Sequence, residues 1–136
     1  MNFDQVPVIG LAKGERGLIS RILCPKFCGY LTAGTLSSGI DPVPGEPSIK
    51  DILHLYNFKL IKPDTKLFGV IGNPISHSKS PLLYNEGFKS VGFNGVYLHL
   101  LVDDIANFLS TYASTDFSGF RYTLSSIKLC ILTKFL

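Results

Sequence analysis

The chain has 136 residues, 46% of them apolar and 17% charged, with a formal net charge of +3 and a mean hydropathy of +0.28. That composition excludes intrinsic disorder, and no apolar run reaches the roughly 20 residues of a membrane span. The 13 basic and 10 acidic residues are spread along the chain without a basic cluster and interleaved aromatics, so neither nucleic acid nor a membrane is an expected partner.

Three cysteines (Cys24, Cys28, Cys130) form no disulfide framework and fit a reducing compartment. With His54, His77 and His99 scattered, they also lack the spacing of a zinc site. The N-terminus has no basic region before an apolar stretch, so it reads as neither a secretory signal nor a transit peptide.

In chain order, apolar runs alternate with helix-period segments, which predicts an α/β fold. Residues 6–11 (VPVIGL) read as a strand, 18–27 as a helix and 30–35 as a second strand. A Pro/Gly-rich turn follows over 37–47. Ser48 is the expected N-cap of a helix reaching about residue 58. A polar link over 59–66 separates this from a second unit.

There, 67–72 (LFGVIG) reads as a buried strand. Ser80-Pro81 reads as an N-cap followed by proline at the first helical position, and that helix stops at Gly92. A strand over 95–102, a helix capped by Asp103 or Asp104 through 112, and a strand over 117–124 complete a parallel β-α-β-α-β unit. The first unit has too few elements to close a barrel. The tail shows neither turn signals nor a clear period.

The segment from Gly72 to Pro81 (GNPISHSKSP) is the richest in chemistry. It lies at the carboxyl end of a parallel strand and opens a helix, where open α/β sheets place ligands. Its hydroxyls suit a hydroxylated substrate, and the helix N-terminus with Lys79 favours a carboxylate. The same residues are also compatible with a plain solvated loop in which Ser80 only caps the helix. No glycine-rich dinucleotide loop is present.

This loop, with the collinear stretch through LLYNEGFKSVGFNGVYLHLLVDDIANFL and STDFSGF, resembles the substrate-binding N-terminal domain of shikimate dehydrogenases. Upstream, VPVIGLAKGERGLISRILCPKF and GYLTAGTL resemble the last strand–helix units of the type I dehydroquinase (β/α)8 barrel. The order of the two halves is that of the plant bifunctional 3-dehydroquinate dehydratase/shikimate dehydrogenases.

The resemblance implies three segments: the end of the dehydroquinase barrel over 1–62, a truncated substrate-binding domain over 63–120, and a divergent tail over 121–136. The tail looks like sequence read through a splice junction or out of frame. The resemblance implies that Ser78 and Ser80 bind the shikimate carboxylate, that Thr123 contacts substrate, and that Arg21 grips the carboxylate of the dehydratase substrate. His77 and Lys79 are expected to shape the loop.

It further implies NADP as cofactor, shikimate and 3-dehydroshikimate as ligands, and a plastid location. Departures from the family pattern predict an inactive chain. Ile127 stands where the family has its catalytic lysine, and Lys128, one position later, points elsewhere. The lysine's aspartate partner and the NADP domain are expected beyond the C-terminus. The dehydratase's Schiff-base lysine and histidine are expected upstream of Met1. Pro42 and Glu46 replace a serine and a glutamine of the dehydratase loop, and Glu46 would oppose an anionic substrate. The alternative is a non-catalytic module that binds shikimate or associates with intact subunits.

Overall fold

A computed structural model describes residues 6–36, 45–112, 117–123 and 128–132. Its frame is a four-stranded sheet of β1 (Lys66–Gly72), β2 (Gly95–Leu101), β3 (Phe117–Thr123) and β4 (Lys128–Leu132) in the order β2-β1-β3-β4. β1 pairs in parallel with both neighbours, with Val70 opposite His99 on one side and Arg121 on the other. The expected α/β architecture is therefore present.

The chain steps from β1 one way to β2, then back over β1 to β3. Right-handed crossovers in opposite directions put their helices on opposite faces of the sheet. Helix α2 (Ser80–Val91) accordingly covers the face carrying Val70, Tyr97 and half-buried Phe68, while Ile105, Phe108 and Leu109 of α3 (Ile105–Tyr112) pack on the other. That second face also receives Leu18 and Ile22 of α1 (Leu18–Ile22), Leu23, Ile52 and Tyr56. One core thus runs across the 59–66 link. Val70, Ile71 and Leu98 have no exposed surface, each contributing about 1.5–3 kcal/mol by burial.

The helix ends follow local chemistry. Gly92 closes α2 in a left-handed conformation (φ 70°) with its N–H on the Lys89 carbonyl, a position glycine fills without strain. Asp104 caps α3, its carboxylate accepting from the Asn107 N–H at 3.0 Å. Ser48 accepts from the Asp51 N–H at 3.1 Å and donates to its carboxylate at 2.8 Å, a reciprocal cap.

Several expectations are corrected. Residues 6–11 and 30–35 form no ladder; they share one hydrogen bond, Tyr30 N–H to the Val8 carbonyl, and Thr35 makes a single bridge to Ser48. An apolar run becomes a strand only beside a partner, and here Val6, Val8, Tyr30 and Leu36 stay exposed. The helix expected over 18–27 is α1 alone, because Pro25 disfavours helical geometry at Cys24. The helix after Ser48 widens into a π turn at Asp51–Leu55 and ends at Tyr56. Ser80 is the first residue of α2, not its cap; Lys79 caps it without a side-chain bond. β4, antiparallel to β3, was not expected in the tail. The turn over 37–44, Pro42 and Ile127 lie outside the described residues.

Candidate functional site

The 73–79 loop leaves the carboxyl end of β1 with a cis Asn73-Pro74 bond and is anchored by Ile75, buried in the smaller core cluster beside Val70 and Tyr97. Ser78 and Ser80 are half-buried, whereas Ser76, His77 and Lys79 are exposed. The Ser80 N–H points to Ser78 Oγ at 3.4 Å, and Ser80 Oγ accepts from Arg121 Nη1 at 2.9 Å. The two serines are thus brought together at the N-terminus of a 12-residue helix, where partial positive charge collects.

His99 of β2, rather than His77, holds the loop. Its Nε2 lies 2.7 Å from the Ser78 carbonyl and its Nδ1 2.7 Å from the Tyr56 hydroxyl. A carbonyl only accepts, so Nε2 carries the proton and Nδ1 receives the Tyr56 O–H. This chain of bonds ties the segment before the link to the loop after it. Cavities flank it: one of about 200 Å3 lined by Glu15, Glu46, Tyr56 and Ser76, and one of about 440 Å3 lined by His54, His77, Ser78 and Lys79.

Burial pushes the His99 pKa down, opposed by the Ser78 bond, Glu15 and Asp51 and aided by His77. The neutral form therefore stabilises the fold above the unfolded pKa of about 6.5, and that contribution is lost as pH falls through the lower folded value. His99→Gln should flatten the fall in urea midpoint between pH 7 and pH 5; an unchanged slope would exclude His99 as its source.

The carboxyl ends of β1 and β2 are braced together. Asp103 accepts from Asn73 and pairs with Arg16, whose other nitrogen reaches the Leu101 carbonyl at 3.3 Å. These bonds hold the Asp103 carboxyl below its usual range. On α2, buried Asn85 clamps the outer side of β2, donating to the Tyr97 carbonyl at 2.9 Å and accepting its N–H at 2.8 Å.

Of the residues singled out from sequence, Ser78 and Ser80 share the loop, and Thr123 ends the neighbouring strand β3. Arg21 is elsewhere, on α1. Its guanidinium donates to Glu46 Oε1 at 2.6 Å and to the Ala33 carbonyl at 2.9 Å, with both side chains of the ion pair largely buried. Sequence reasoning missed Tyr56, His99, Asn85 and Arg121. Their roles depend on contacts across 12 to 43 residues of sequence, which no local motif carries.

The loop does not fit a dinucleotide. Positions 73–79 hold no glycine, Pro74 has no N–H to offer a phosphate, and Ile75 is buried. Among the described residues no group of His, Cys, Asp and Glu could hold a metal ion, and no helix is long and apolar enough to cross a membrane.

Residues 1–63 match the type I 3-dehydroquinase family, and residues 70–126 match the shikimate dehydrogenase substrate binding domain. Over most of its length the chain is similar to a dehydratase/dehydrogenase fusion of the shikimate pathway. It is 63% identical over 120 residues to the chloroplastic bifunctional 3-dehydroquinate dehydratase/shikimate dehydrogenase of Arabidopsis thaliana, covering 88% of this chain and 20% of that protein. A shikimate dehydrogenase (NADP(+)) of Helicobacter hepaticus is 46% identical over 57 residues, 42% of this chain and 21% of that protein. Among solved structures, shikimate 5-dehydrogenase of Listeria monocytogenes, in complex with shikimate and NAD, aligns with a TM-score of 0.45 at 31% identity, over 48% of this chain and 24% of that one. The chain spans a fifth to a quarter of the length of the curated relatives it matches.

Proposed function

We propose that the 73–80 loop binds the carboxylate of shikimate or 3-dehydroshikimate and takes no part in hydride transfer. Ser78 and Ser80 donate their hydroxyls to the carboxylate, and Thr123 contacts the substrate from the end of β3. The observation that carries this reading is the pairing of two half-buried serines at the start of α2, below a loop fixed by His99. Ile127 replaces the lysine that would move the proton of the reacting hydroxyl, and a branched alkyl group has no proton to exchange.

In the same reading, residues 1–62 are a dehydratase remnant, 63–120 the substrate-binding segment and 121–136 a divergent tail. Glu46 on Arg21 supports a dehydratase remnant that no longer takes its substrate. NADP is the cofactor of the full-length relatives in this reading, and no step of it is assigned to the loop. The chloroplastic relative supports a plastid setting.

Equilibrium dialysis tests the proposal. Each hydroxyl-to-carboxylate bond contributes about 1.5–3 kcal/mol, so Ser78→Ala/Ser80→Ala should weaken shikimate binding at least about a hundredfold. No shikimate-dependent reduction of NADP is expected from the 136-residue chain. Equal binding by the double variant, or turnover by the chain, would overturn the reading.

A further inference from the structure

This inference rests on the reading of the loop as a carboxylate site and names its charged member. Arg121 stands opposite Val70 in the β1–β3 register, and paired residues share a face, so its side chain emerges toward α2. There its Nη1 donates to Ser80 Oγ at 2.9 Å. A guanidinium has no acceptor. The Ser80 oxygen must therefore take the proton of Arg121, which leaves the Ser80 hydroxyl hydrogen free to be donated to something else.

Arg121 is half-buried, and among the described residues no carboxylate pairs with it, in contrast to Arg16 and Arg21. The acidic residue that lines a cavity together with Ser80 is Glu86, and Lys79 lines the same cavity. An arginine aimed at a serine hydroxyl, beside a second serine and a helix N-terminus, holds positive charge where an anion would meet the hydroxyls.

We propose that Arg121 is a specificity-determining residue of this site. It orients the Ser80 hydroxyl outward and supplies the counter-charge for the ligand's carboxylate, so that the site selects a hydroxylated monocarboxylate over its neutral ester. A purely structural staple between β3 and α2 would stabilise the fold without distinguishing acid from ester.

The test compares shikimate with its methyl ester on the full chain by equilibrium dialysis. The wild-type chain should prefer the acid by at least tenfold. Arg121→Met should remove about tenfold of that preference by weakening the acid more than the ester, and Arg121→Lys should fall between. Acid affinity in the wild-type chain should also fall with rising salt while ester affinity stays level, a readout that needs no variant to fold. An unchanged acid-to-ester ratio in Arg121→Met, or a salt-independent acid affinity, overturns the role of Arg121. If Ser80→Ala weakens binding and Arg121→Met does not, only this inference fails. If the wild-type chain binds neither ligand, the carboxylate reading of the loop fails and takes this one with it.

Discussion

Asn85→Ala should destabilise the chain by about 2–4 kcal/mol. Asn85 is 1% exposed, and its amide replaces the strand partner that β2 lacks on its outer side, satisfying both the N–H and the carbonyl of Tyr97. Alanine removes both bonds without admitting water, and each buried backbone group deprived of its partner costs about 1–3 kcal/mol. Against a total stability of about 5–15 kcal/mol, this is a large share. Urea denaturation should show a midpoint lower by about 1 M or more, with faster amide exchange at Tyr97. A loss below about 1 kcal/mol would mean that Asn85 is not what holds the edge of β2.

Glu46→Ala is the second large effect. It leaves the Arg21 guanidinium buried against the Ala33 carbonyl with no carboxylate beside it. Stripping one partner from a buried ion pair costs about 3–5 kcal/mol, whereas replacing both by apolar groups of similar size is often close to neutral. Glu46→Ala should therefore be severely destabilised, and Arg21→Met/Glu46→Leu should recover most of the loss. Acetate at high concentration should raise the midpoint of Glu46→Ala and not of the wild-type chain, since an added carboxylate takes the vacated position. No acetate response would show that the guanidinium cannot be reached from solvent. In the proposed reading of Arg21 as a dehydratase carboxylate grip, Glu46 stands as an internal acid on that grip.

The second half of the fold was legible because each element carries its own signal. Apolar runs bounded by turn residues mark β1 and β2, Gly92 ends α2, and Asp104 starts α3. The first half misled because 6–11 and 30–35 are apolar enough for strands yet gain no ladder, and strand formation is a property of pairs. β4 was invisible because 121–136 offers no recognisable turn, and its pairing with β3 is set by the sheet. Within the site, Ser78 and Ser80 stood out as a local cluster. His99 and Arg121 did not, since they reach the loop across 21 and 41 residues through strand register. A histidine two residues beyond Tyr97 on β2 carries no mark of its own until pairing with β1 fixes which face it takes.

The most direct measurement of the central claim is a shikimate titration of the chain followed by two-dimensional amide NMR. Saturable shifts at Ser78, Ser80 and Arg121, spreading to His99 through the Ser78 carbonyl, are the predicted result. A dispersed spectrum in which those amides stay fixed while shikimate reaches high millimolar concentration would contradict it.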